Sequence, residues 1–369
     1  MPKVAVGKKV ATCGVYMMKT QCLSSDIISS LPLNIIETIL TFMPIRDSVK
    51  TSILSKKWRY CWMTMPKLIF DQNQVHGYNY NYRHSVKSKL VSAIFHVLFI
   101  HSGPTILEFK LPIIDLDLVT EFDAIILYLS RRTNVKDLII YNSNNFYKLP
   151  NPFFSLQGLE YIRLRHCNFE PLVTFNGFNK LKSLWFENVQ VSVKALQHFL
   201  SNCPLLEDMC LYLAVGGMPK KLPTWLHLRH VTLDLCLREH DVISSALCII
   251  RSAPNLQRLN FMMNDNVNLP IQGSSMKLVD FQDGLSLTFD HLKHFEILIS
   301  RNYVFMMEFV KLVMAKSPVL EIARTELKTN ISVEEELKIC KEMINLPFSR
   351  ASPSSKLIIE RPKTSSRRR

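Results

Sequence analysis

The chain of 369 residues is 47% hydrophobic with a formal net charge of +14, which excludes a wholly disordered protein and leaves room for one or two units with sizeable cores. Its longest apolar stretch, LVSAIFHVLFI at 90–100, is about half as long as a membrane-spanning helix, so no membrane partner is expected. Nine cysteines without any Cys-x-x-Cys spacing fit reduced thiols in the nucleus or cytoplasm better than a disulfide framework.

The positive charge is concentrated. Residues 1–22 carry Lys3, Lys8, Lys9 and Lys19 without an acid, and residues 44–60 set Arg46, Lys50, Lys56, Lys57 and Arg59 against Asp47 alone. Arg361, Lys363, Arg367, Arg368 and Arg369 end the chain. The rest is nearly neutral, so both ends read as solvated basic arms. Nucleic-acid binding through the body is not expected, because a phosphate-binding surface needs clustered Lys and Arg.

The first predicted element follows Pro32, which suits the first turn of a helix; Ile35, Ile36, Ile39, Leu40 and Met43 recur at steps of three and four. Pro44 interrupts this helix, and Asp47 can cap a second one bearing Val49, Ile53, Leu54, Trp58 and Trp62. Pro66 closes the unit. Helices this short bury too little surface to stand alone, so either the rest of the chain or a partner must cover them.

The segment DIISSLPLNIIETILTFMPIRDSVKTSILSKKWRYCWMTMPKLIFD, residues 26–71, resembles the F-box of plant F-box proteins. The likeness lies in the Leu-Pro start, the Ile-Leu pair before Met-Pro, and the Ser-Ile-Leu-Ser-Lys-Lys-Trp-Arg run with a second Trp. It implies docking onto an SKP-type adaptor and, through it, a cullin scaffold. Leu31, Pro32, Ile35, Ile36, Ile39, Leu40, Pro44, Val49, Leu54 and Trp58 stand at motif positions that would form the docking face or its support. Met43, Ile45 and Ser48 replace residues more usual in the motif.

Beyond a His- and Asn-rich connection at 72–86, a repeat begins: LQGLEYIRLRHCNF, FNKLKSLWFENVQV, CPLLEDMCLYL, WLHLRHVTLDL, APNLQRLNFMM and FDHLKHFEILI. Their shared leucines are Leu159, Leu181, Leu206, Leu228, Leu256 and Leu292, at steps of 22, 25, 22, 28 and 36 residues. All but the last step fall in the leucine-rich-repeat range. NVKDLIIYN and ILEFKLP begin the series with weaker matches. Helical stretches end just before Pro204, Pro254 and Pro318, because the residue preceding proline is pushed out of the helical region. Strand, turn, helix and return make one coil of a solenoid, and stacked neighbours supply the core. The expected fold class is α/β, an N-terminal all-α unit followed by a curved parallel sheet with helices outside.

These repeats resemble plant F-box proteins with leucine-rich repeats, and the stretch from about Phe289, with RASPSSKLIIE later, resembles their FBD region. The expected division is a basic arm at 1–22, F-box at 23–66, connection at 67–104, leucine-rich repeats at 105–288, FBD-like repeats at 289–360 and a basic tail at 361–369. The 264–288 insertion has no expected role.

Alternate residues of each repeat strand leave the core for the concave face. That face is expected to carry Arg163, Arg165, Trp185, Glu187, Cys210, Tyr212, Thr232, Asp234, Asn260, Met262 and Glu296. Mixed charge with aromatics suits a protein target, with aromatic anchors and charges that set register. His166 and Cys167 lack a second ligand pair for a metal, so a turn role and a core role are expected, as core roles are for Cys203 and Cys236. No nucleophile elbow, zinc-protease motif, dinucleotide fingerprint or P-loop occurs, and no enzyme activity, cofactor or metal is expected.

The family resemblance therefore implies the substrate-recognition subunit of a cullin-based ubiquitin ligase, acting by proximity. The alternatives are a binding scaffold outside any ligase, nucleic-acid binding through the basic ends, and a small-molecule receptor.

Overall fold

The computed structural model describes residues 27–70, 83–114, 119–131, 135–142, 146–215, 219, 221–234, 242–262, 288–299, 304–328, 331–344 and 351–361. The N-terminal arm, Cys236, the 264–288 insertion apart from its last residue, and the tail after Arg361 lie outside them.

Three short helices open the structure: α1 (Ile27–Ser30), α2 (Leu33–Thr41) and α3 (Ile45–Lys50). Pro32 and Pro44 each sit immediately before a helix in extended conformation, and their carbonyls accept the first helical N–H bonds. Asp47 is therefore not the cap that spacing suggests; it lies in the first turn of α3 and pairs with Lys50 at 2.7 Å. The second helix also stops early. Thr51 Oγ1 donates to the Ser48 carbonyl at 2.6 Å and Ser52 Oγ to the Arg59 carbonyl at 3.0 Å, and the chain tightens into a 3₁₀ turn at Thr51–Ile53. Such hydroxyl bonds compete with helix continuation. A second 3₁₀ turn, Cys61–Thr64, buries Trp62.

Among the described residues the body is one open sheet of thirteen strands in which every pairing is parallel. Its long path runs through β1 (Lys67–Ile69), β2 (Glu108–Ile114), β3 (Asp137–Asn142), β5 (Tyr161–Arg165), β7 (Ser183–Gln190), β8 (Asp208–Val215) and β9 (His230–Asp234). It continues through β10 (Arg258–Met262), β11 (His294–Ile299), β12 (Ile322–Leu327) and β13 (Lys356–Glu360); β4 (Tyr147–Lys148) and β6 (Cys167–Asn168) pair beside β7. The strands thus begin inside the expected connection, at Lys67, and cross residue 289 without a break. Among the intervening helices are α4 (Arg83–Ile100), α5 (Val119–Ser130), α6 (Val193–Ser201), α7 (Val242–Arg251), α8 (Val304–Lys316) and α9 (Val333–Ile344). None of the described helices is long and apolar enough to cross a membrane.

Strand periodicity divides the sheet into two faces. Leu138, Ile162, Leu184, Met209, Val231, Leu259 and Phe295 lie in register on one, as do Ile140, Leu164, Phe186, Leu211, Leu233, Phe261 and Ile297. All are buried, as are the six shared repeat leucines. Helices cover this face: Phe199 of α6 lies 6.1 Å from Phe186, and Phe309 of α8 lies 4.9 Å from Phe261. Around Phe199, Phe153, Phe154, Phe169, Phe175 and Phe178 meet ring to ring, a cluster absent from the leucine pattern. Gly177 permits one close crossing there: its φ is +74°, and a Cβ would lie 2.6 Å from Asn202.

Where the strands begin, the coils are joined by a backbone ladder. The carbonyls of Pro66, Leu107, Lys136, Glu160, Lys182, Glu207, Arg229, Gln257 and Lys293 each accept two N–H groups from the next coil, at 2.7–3.1 Å. Side chains reinforce part of it: Glu160 is 2.8 Å from both Lys136 and Lys182, and these hydrogen bonds hold its carboxyl down at about 2. Arg361 belongs to this folded body rather than to a solvated tail, since its guanidinium binds Glu336 and the Ile331 carbonyl.

Candidate partner-binding surfaces

The helical head keeps a small core and leaves much apolar surface outside it. Ile36 and Leu40 are fully buried, with Ile45 and Trp58 nearly so. Trp58 Nε1 donates to the Ile28 carbonyl at 3.0 Å, and Lys57 Nζ reaches the Leu31 carbonyl, so this turn fastens the N-terminal approach to α2. Ile36, Leu40 and Trp58 are therefore supports, not members of an accessible docking face as their motif positions allowed. Ile35 (43% exposed), Ile39 and Leu54 remain open, with Pro32 exposed and Leu31, Pro44 and Val49 half-buried. Beside them lie Leu33 and Phe42 (84% exposed), which periodicity overlooked, and Ile53 (88% exposed), which it included but the motif positions left out. Phe42 caps α2 and Ile53 rides on the 3₁₀ turn; both lie where the helical period ends. The unusual Ser48 is fully buried with its hydroxyl on the Pro44 carbonyl at 3.2 Å, so it leaves no unmet donor in the head core.

The head is tied to the sheet. The Met63 carbonyl accepts the Ser102 and Gly103 N–H groups, and the His101 ring meets the Met65 carbonyl at 2.9 Å. Gly103 is obligatory here, because a Cβ would lie 2.9 Å from both the His101 ring and the Thr64 carbonyl.

On the face of the sheet opposite the buried rows, all the expected residues come together in register. Arg163, Trp185, Cys210, Thr232, Asn260 and Glu296 form one row; Arg165, Glu187, Tyr212, Asp234 and Met262 form the next. The first row continues beyond Glu296 over two more strands than the repeat leucines marked, through Arg324 on β12 and Ile358 on β13. The Arg163 guanidinium sits 5.1 Å from the Trp185 ring, which lies 6.2 Å from Tyr212. Tyr212 reaches across β9 to donate its hydroxyl to Met262 Sδ at 3.1 Å, and burial pushes its phenol far up. Arg165 pairs with Glu187 at 3.3 Å. Cys210 is buried among them with its thiol pushed up to about 12 by desolvation, which makes it a packing group. Asn260 bonds Thr232 through Nδ2 at 3.4 Å, while its Oδ1 is buried without a hydrogen-bond partner among the described residues. The result is a preorganised patch, aromatic at its centre and polar on either side.

His166 and Cys167 take the expected roles. His166 adopts a left-handed turn, φ 50°, and links the Asn142 carbonyl at 2.9 Å to Asn188 at 3.3 Å. Cys167 and Cys203 are fully buried free thiols, and no metal-holding group of three ligands occurs among the described residues.

A helical head with open apolar residues, joined to an open parallel sheet of leucine repeats, defines a class that sequence comparison names. Residues 28–70 match the F-box domain family, and residues 125–302 match the family described as FBD-associated F-box protein At5g56370, LRR repeats. The chain thus joins a segment that matches the F-box domain to repeats that match those of FBD-associated F-box proteins. It is 26% identical to the F-box/FBD/LRR-repeat protein At1g13570 of Arabidopsis thaliana, over 91% of this chain and 98% of that relative. The Arabidopsis F-box/LRR-repeat proteins At4g14103 and At4g14096 are 31% and 33% identical, over 51% and 50% of this chain and 50% and 40% of their own lengths.

Proposed function

We propose that this protein is the non-catalytic target receptor of an SCF-type cullin ubiquitin ligase. The head docks an SKP-type adaptor, and the face of the sheet that bears Trp185 and Tyr212 holds a target protein. The supporting observation is the unsealed head: Leu33, Ile35, Ile39, Phe42, Ile53 and Leu54 stay exposed although a large core lies next door. Covering each such side chain contributes about 1.5–3 kcal/mol, so a few suffice for a stable complex. The Arg163–Trp185–Tyr212 cluster supplies the kind of aromatic and arginine anchor on which protein interfaces concentrate their energy. Catalysis by such a receptor is proximity: a bound target meets a ubiquitin-charged conjugating enzyme at high effective concentration.

The test is co-purification of full-length chain with adaptor and cullin. Replacing Leu31 and Pro32 by serine is expected to abolish both while the sheet keeps its circular-dichroism spectrum and melting point. Undiminished adaptor capture by that variant defeats the docking assignment. Adaptor capture without cullin favours a scaffold outside any ligase.

A further inference from the structure

At the end far from the head the sheet stops on an open edge. Among the described residues β13 pairs with β12 alone. The core runs out to that edge: Leu357 and Ile359 continue the two buried rows past Ala323 and Thr325, yet they are only half-buried. A terminal coil of a solenoid ordinarily turns a polar outer side to water. Here α9, which precedes β13, instead adds Val333, Leu337 and Ile344, all exposed and aligned in one stripe by helical spacing. Both ends of the edge strand are fastened. The Lys356 N–H donates to the Glu321 carbonyl at 2.9 Å where β13 begins, and Arg361 binds Glu336 and the Ile331 carbonyl just past its end.

We propose that this edge is a two-fold interface, at which β13 pairs antiparallel with β13 of a second copy of this chain. The inference stands apart from the ligase reading. Two features fix the register. Because the Lys356 N–H turns toward β12, strand alternation turns the N–H and C=O groups of Leu357 and Ile359 outward, and these are the groups an unpaired edge leaves open. A two-fold axis through Ile358 sets each Leu357 against Ile359 of the second copy, so every outward N–H finds an outward carbonyl. The same axis sets Lys356 against Glu360 of the second copy, on one face of the joined sheet. Lys356 is exposed and has no ion pair among the described residues, while Glu360 gives one oxygen to Arg324 at 2.6 Å and keeps the other. In-register parallel pairing would oppose like charges at both ends. The strand, Lys-Leu-Ile-Ile-Glu, holds neither the proline nor the central charge that protects many edges. Leu357 and Ile359 of both copies face the same side of the joined sheet, where each core closes against the other. Such a contact is isologous, so it closes at two copies and uses up the edge.

The experiment weighs the full chain by light scattering across a concentration series. The wild type is expected to double its mass. Leu357→Pro removes an outward N–H, a change that an edge strand tolerates, and is expected to stay single with its circular-dichroism spectrum kept. Lys356→Glu and Glu360→Lys each oppose like charges at both ends of the paired strands, so each alone should raise the dimer dissociation constant about tenfold. Mixed together, the two variants regain opposite charges at both ends, and mixed dimers should form about as tightly as the wild type. A merely structural role for these residues gives no such rescue. A wild type that stays single up to about 100 µM, or dimers indifferent both to Leu357→Pro and to mixing, overturns the interface. So does a wild type that is single until residues 362–369 are removed, which assigns the edge to the chain's own tail.

Discussion

The head and the sheet leave opposite kinds of surface uncovered. On the head, the exposed positions include a set of large apolar side chains, Leu33, Ile35, Ile39, Phe42, Ile53 and Leu54. On the sheet they are arginines, acids and amides around Trp185 and Tyr212, whose polar atoms are largely engaged with one another. Apolar surface binds by area and shape, and a pre-paired polar face binds by register and discrimination. The contrast is the one expected of a chain with an unvarying partner at one end and a selected one at the other.

The largest test of that contrast is Ile35→Asp with Leu54→Asp. Two anchors worth about 1.5–3 kcal/mol each should weaken adaptor binding at least a hundredfold, read by surface plasmon resonance, with little change in melting point. Trp58→Ala inverts the outcome: a buried tryptophan holding Ile28 is lost, and chemical denaturation should show about 3–5 kcal/mol of destabilisation confined to the head. Equal effects from these variants would erase the distinction between face and support. On the sheet, Trp185→Ala should cost about 2 kcal/mol in target affinity by calorimetry while leaving stability within about 1 kcal/mol.

The smallest effect concerns the rim. Lys136 and Lys182 depress the Glu160 carboxyl to about 2 from its model-peptide 4.5, so the stabilisation is present above about pH 4.5 and is lost as pH falls toward 2. Glu160→Gln should flatten that part of the acid-unfolding curve, by no more than about 1 kcal/mol because the lysines are solvated. An unchanged acid limb would show that the backbone ladder alone holds the coils in register.

Much of the body was legible because leucine spacing and strand alternation are both one-dimensional signals. The six repeat leucines and both outward rows follow from counting residues, and the helices of the repeats stop before Pro204, Pro254 and Pro318. The head was harder. Its second helix ends at Lys50 because hydroxyls of Thr51 and Ser52 bind nearby carbonyls, and once the period lapses, counting no longer says that Ile53 faces outward while Trp58 turns inward. β12 repeats the buried leucine at Leu320, beyond the six that counting collected, whereas β13 and the phenylalanine cluster carry no leucine motif.

The ladder of doubly accepting carbonyls begins at Pro66, the residue that closes the head. The same unbroken run of bonds therefore joins the head to the long path of strands as far as β12, and each strand advances the sheet by about 4.8 Å. Reach in such a molecule changes only in whole increments. Duplicating one coil would carry the far half of the sheet further from the head without disturbing the head itself, and deleting one would draw it nearer.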